Sequence, residues 1–75
     1  MHLDRITFNV NVMGGKPCLR GMRVTVGTVV GLLAAGHSFA EILVAYPYLE
    51  HEDLRQALSY AVWRAEEIDI AALVS

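Results

Sequence analysis

Three cations lie close together in this 75-residue chain, Lys16, Arg20 and Arg23, with Gly21 between the two arginines. A ribbon bent at that glycine would aim two or three positive groups at one surface. Arg brings a planar fork that matches phosphate, carboxylate or a guanine edge. Pairing inside the chain with carboxylates of its second half is the competing use of the same groups. The neighbouring Gly14-Gly15-Lys16 would also present amides and an ammonium to a phosphate. A P-loop, however, needs a longer glycine frame and a Ser or Thr after the Lys, and here Pro17 follows. Those glycines read instead as a tight turn. Cys18, His2, His37 and His51 have no metal-ligand spacing, and with the carboxylates they form no nucleophile–base or acid–base pair. The expectation is a protein with no catalytic residues, no metal and no cofactor, and therefore not an enzyme.

Two further groups lie downstream. Arg55 and Gln56 fall near the start of a third helical segment, where the recognition helix of a helix-turn-helix places its base-reading side chains. Glu50, Glu52 and Asp53 sit beside them, favourable to the helix dipole and unfavourable to an anionic partner. A plain three-helix core with no groove reading is the alternative. Tyr60, Trp63 and Arg64 then combine two aromatic anchors with a guanidinium, a composition enriched at energetic hot spots of interfaces. Ile68, Ile70, Leu73 and Val74 extend that group with apolar side chains that would be costly to leave in water. They suit a protein partner, a fold-back onto the core, or a dimer interface.

Composition points to association. The chain is 55% hydrophobic and 19% charged, whereas ordinary globular domains carry about 25% charged residues. A single domain this small buries only about 60% of the surface it exposes unfolded, so part of the apolar excess is expected to meet another chain, in the first instance a copy of itself. The net charge of −2 conceals an asymmetry: residues 1–37 hold four cations against one carboxylate, and residues 38–75 hold two against seven. Anions should therefore meet the N-terminal half. The longest apolar run, Val29 to Gly36, falls far short of the roughly 20 residues that span a bilayer, and no basic patch with an apolar run follows Met1. With one cysteine as well, the expected location is the cytoplasm, away from any membrane.

Positioning these groups requires a frame, read here as one domain over residues 1–75. Residues 1–24 are expected to form short strands and turns, residues 25–67 three helices, and residues 68–75 a tail. Ile6, Phe8, Val10 and Val12 alternate with Thr7, Asn9 and Asn11, the period of a half-buried strand. Lys16 to Val26 reads as one or two extended pieces bent at Gly21. Thr25 is a natural N-cap for a first helix with Val26, Val29, Val30 and Leu33 on one face and Gly36 as its stop. Ser38 and Glu41 form a capping box for a second, which Pro47 ends. Leu49 and Leu54 can staple the third across Glu50, and Leu54, Ala57, Leu58, Ala61, Val62 and Ala65 continue its stripe. Gly27, Gly31 and Ala35 make a stripe of small residues on the first helix.

The run Met13-Gly-Gly-Lys-Pro-Cys-Leu-Arg-Gly-Met-Arg-Val-Thr-Val26 resembles the signature of the family called domain of unknown function 433, DUF433. The likeness continues through Leu32 to Ser38, Glu41-Ile42-Leu43, Tyr46 to Leu49, Glu52-Asp53-Leu54 and Ala57 to Ala61. Val10 and Glu50 depart from the pattern, where a proline and a Ser or Thr cap are usual. The resemblance implies a homeodomain-like three-helix bundle with short N-terminal strands. It also implies an antitoxin of a type II toxin–antitoxin pair, which neutralises a PIN-like ribonuclease and binds operator DNA as a homodimer. Lys16, Arg20, Arg23, Arg55 and Gln56 are then the nucleic-acid candidates, and Tyr60, Trp63, Arg64, Ile68, Ile70 and Leu73 the partner-binding ones. An interaction module that caps its partner without touching DNA is the alternative.

Overall fold

The computed structural model describes residues 3–74, with side chains through Glu66. It is mainly helical: β1 (Ile6–Thr7), a single 3-10 turn at Met13–Gly15, β2 (Cys18–Leu19), α1 (Val26–Ala34), α2 (Phe39–Ala45) and α3 (His51–Val74). β1 and β2 pair antiparallel, with Ile6 opposite Leu19 and Thr7 opposite Cys18. The chain after β2 folds back along its other edge, where the Leu19 amide donates to the Val24 carbonyl and Cys18 bridges Thr25.

The expected strand from Ile6 to Val12 is realised only over its first two residues. Its partner is equally short, and Asn9 then turns the chain by accepting the Asn11 amide on its side chain and the Val12 amide on its carbonyl. Phe8 just before the turn and Val10 within it are left exposed.

Each helix begins and ends where local chemistry dictates. Thr25 Oγ1 accepts the Thr28 amide at the start of α1. At its end Gly36 adopts φ +99, while the His37 and Gly36 amides reach the Leu32 and Leu33 carbonyls, the two bonds of a Schellman stop. Ser38 and Glu41 close a reciprocal capping box on α2. α3 starts without a Ser or Thr. The Asp53 carboxylate instead reaches back to the Glu50 amide at 2.7 Å, and so performs the return half of a capping box from the third helical position.

Leu19, Val24, Val26, Val29, Ile42, Leu49, Leu54 and Ala57 form the buried core. α1 and α3 are its principal pair, and Ala57 of α3 is fully buried in it. The small-residue stripe Gly27, Gly31 and Ala35 faces outward on α1. α3 continues as helix through the segment expected to be a separate tail, and its 24 residues make it about 36 Å long. The overall extents are 42 × 30 × 21 Å. The side chains of Ile68, Ile70 and Leu73 lie outside the described residues.

Leu54→Ala should cost about 3 kcal/mol, because it opens a cavity at a fully buried position, and Ser38→Ala about 1 kcal/mol through loss of the cap. Urea unfolding midpoints check both values and their order.

Candidate functional site

Asp53 is the first residue to consider, since its side chain has no solvent exposure. Asp53, Gln56, Ala57 and Tyr60 fall at i, i+3, i+4 and i+7 on the inward face of α3, so two polar groups enter an otherwise apolar surface. Arg20 grips the Asp53 carboxylate with Nε at 3.0 Å from Oδ1 and Nη2 at 2.9 Å from Oδ2, a bidentate fork. Arg20 Nη2 also donates to the Tyr48 carbonyl at 2.7 Å. Arg5 reaches the same carboxylate at 3.2 Å and pairs with Glu50. Burial pushes the Asp53 carboxyl up. The Arg20 fork, the Glu50 amide and Arg5 together outweigh it and hold the group below the usual aspartate range.

This network sets the backbone too. Arg20 and Gly21 both take positive φ, +49 and +73, and the Met22 amide closes the turn onto the Leu19 carbonyl at 2.9 Å, the φ pattern of a type I′ hairpin. A non-glycine residue there carries strain. Its side chain is fixed by Asp53, and its amide donates to the Arg5 carbonyl at 2.7 Å.

The structure therefore gives three of the five nucleic-acid candidates a different use. Arg20 is bound to Asp53. Gln56 is only 3% exposed, and both ends of its amide are engaged: Oε1 accepts the Arg5 amide, and Nε2 donates to Asp4 and Glu52. Arg55 forks onto Glu52 with bonds of 2.8 and 2.6 Å, and Arg55 with Gln56 holds the Glu52 carboxyl down at about 2. Lys16 and Arg23 are exposed and make no ion pair among the described residues. The available signal for the internal roles was helical phase, which puts Asp53 and Gln56 inward with Ala57.

The partner-binding candidates behave otherwise. Leu3, Ile6 and Phe8 from the N-terminal segment meet Tyr60, Trp63 and Arg64 of α3 around an open groove of about 560 Å3. Phe8, Tyr60 and Trp63 form an aromatic run, with successive ring centroids 6.0 Å apart. Phe8 is 61% and Trp63 45% exposed, and Arg64 closes the run as an exposed cation with no ion pair among the described residues. Sequence spacing located the α3 half of this groove. Leu3, Ile6 and Phe8 were missed, because their approach to α3 is fixed by long-range hydrogen bonds from Arg5 to Gln56, Glu50 and Asp53. Among the described residues no cluster of three His, Cys, Asp or Glu side chains could hold a metal, and no helix is long and apolar enough to cross a membrane.

The chain is similar to known proteins in sequence and in overall fold. The family model for DUF433, described as a protein of unknown function, matches residues 6–61. The chain is 43% identical over 56 residues to the uncharacterized protein y4eO of Sinorhizobium fredii (strain NBRC 101917 / NGR234), a match covering 75% of this chain and 25% of that protein. The chain thus spans about a quarter of that relative's length. It is also similar to the 2.00 Å crystal structure of a DUF433 member protein from Anabaena variabilis ATCC 29413, with 34% identity and a TM-score of 0.79, covering 91% of this chain and 67% of the other.

Because the Asp53 carboxyl is held below its unfolded value of about 3.9, its ionised form stabilises the fold fully above about pH 5, and that contribution is lost as pH falls through the folded value. Asp53→Ala should cost about 3 kcal/mol at neutral pH, since it strips the partner from Arg20 and the Glu50 amide. Asp53→Asn should be less stable than the parent at pH 7, and the gap should narrow as pH falls below about 4. Thermal unfolding from pH 7 to 3 tests this, and a gap independent of pH contradicts it.

Proposed function

Since this chain belongs to the DUF433 family, we propose that it is an antitoxin-type binding module that grips a PIN-like ribonuclease through the groove of Phe8, Tyr60, Trp63 and Arg64. The observation that carries this reading is the exposed aromatic run ending in a guanidinium that makes no ion pair among the described residues. Aromatic rings provide large contact area at small entropic cost, and Arg64 is the natural group to offer a nuclease whose active site is a cluster of carboxylates. The position of Arg64, one α-helical turn beyond Tyr60, lets ring contact and charge pairing occur on the same face.

A second reading, operator binding as a homodimer through a homeodomain-like helix-turn-helix of α2 and α3, draws support from Lys16 and Arg23, which are exposed. It is weakened where a recognition helix would make its contacts. Asp53 and Gln56 are buried, and Arg55 is paired with Glu52. The protein-capping reading is therefore preferred, with the cytoplasm as its setting.

Trp63→Ala and Arg64→Ala should each weaken inhibition of the neighbouring-gene PIN-like ribonuclease about tenfold or more, as read by titrating the chain against RNA cleavage. Truncation after Glu67 should leave a folded chain with reduced inhibition; full inhibition by both point variants removes the groove from the reading. For DNA, Lys16→Ala with Arg23→Ala should lower the slope of log affinity against log salt by about 2 if those cations contact phosphates. Absence of salt-dependent binding by the parent chain leaves only the protein partner.

A further inference from the structure

The two walls of the aromatic groove come from distant parts of the sequence, and one neutral side chain joins them. Leu3, Ile6 and Phe8 form one wall, and Tyr60, Trp63 and Arg64 the other. Asp4 and Arg5, the residues between Leu3 and Ile6, are both bonded to Gln56. Its Oε1 accepts the Arg5 amide at 2.9 Å, and its Nε2 donates to Asp4 Oδ1 at 2.8 Å. Nε2 also donates to Glu52 Oε2 at 2.9 Å, so the amide plane is fixed from its own helix as well. Gln56 is almost fully buried and lies about one helical turn before Tyr60, against which Phe8 packs with ring centroids 6.0 Å apart. The ion pairs of Arg5 act differently. They run from the tip of a long side chain to Glu50 and Asp53 at the start of α3, and so constrain the backbone only through several rotatable bonds.

We infer that Gln56 is the positioning residue of the groove: it sets where the Leu3–Phe8 wall stands against Tyr60, while the Arg5 ion pairs secure the fold. A neutral amide suits this place because it accepts from one neighbour and donates to two others at once. The charged groups around it among the described residues are Asp4 and Arg5 on the N-terminal segment and Glu52, Asp53 and Arg55 on α3. A carboxylate in its place keeps the acceptor, loses both donors and adds a further negative charge beside Asp4 and Glu52. The inference gives the proposed binding groove its means of assembly and rests on that reading for its functional meaning. Its readouts are taken on the free chain, so a groove that captures no ribonuclease leaves them unchanged.

Nuclear magnetic resonance on the parent and three variants tests it, through the Phe8–Tyr60 ring contact and the exchange of the Arg5 amide. In the parent the rings should give cross-peaks, and the Gln56 side-chain amide protons should exchange slowly with solvent. Gln56→Glu at neutral pH should lose the ring contact and exchange the Arg5 amide at least about tenfold faster, with the amides of α1 still protected. At about pH 4.5 the introduced carboxyl, pushed up by Asp4 and Glu52, takes on a proton and regains one O–H donor, and the contact should return. Gln56→Met has no donor to regain and should lack the contact at both pH values. Arg5→Met keeps the backbone amide, so it should lower the urea midpoint and retain the contact. A contact that survives Gln56→Glu at neutral pH, one that stays lost on acidification, or one lost in a folded Arg5→Met chain would overturn the proposal. Where a Gln56 variant does not fold, the Arg5→Met comparison still decides it, as does the parent, in which fast exchange of the Gln56 amide protons contradicts the role.

Discussion

One carboxylate without solvent exposure holds this small fold together. A two-residue strand pair has too little hydrogen bonding to persist alone, and Asp53 supplies the missing constraint by fastening Arg20 and Arg5, from either side of that pair, to the first turn of α3. Removing a charge from water is costly, and here the cost is offset because every polar partner is in place: a guanidinium fork, a second guanidinium and a backbone amide. Among the described side chains no buried polar atom lacks a partner. The left-handed backbone at Arg20 and the cap of α3 both depend on the same group, so hairpin geometry and helix start are set together.

This arrangement changes what the charge distribution means. The positive N-terminal half and the acidic second half meet in space, and much of their opposition is neutralised internally by Arg5, Arg20, Glu50 and Asp53. A field that looks able to steer an anion, when read along the sequence, is substantially a fastening of the molecule to itself. What the surface offers beside that fastening is an aromatic groove, and Arg5 and Gln56 link the two, because the hydrogen bond that positions Arg5 also carries Ile6 and Phe8 to α3.

The helices were legible because their determinants are local. Thr25, the Ser38–Glu41 box, Gly36 and Pro47 act within four residues of where they sit, and the spacing of Val26, Val29, Ile42, Leu54 and Ala57 reports burial directly. The strand from Ile6 failed for the opposite reason: alternation identifies an extended conformer, but its length is set by a partner and by Asn9, and neither is written in the alternation. Helical phase can place Asp53 inward, but its pairing with Arg20 was not legible, since a bond across 33 positions leaves no trace in spacing. For the groove, the α3 half follows from helical phase, while the N-terminal half follows from the polar network and so was out of reach.

Burial along α3 fades near Ala61, and the family match ends at that same residue. The inner turns of the helix carry the obligations of folding, whereas from Val62 to Glu66 the side chains are exposed. Substitutions at Ala65 and Glu66 therefore leave the core untouched, and this stretch of helix surface can change its chemistry without a change in the body beneath it.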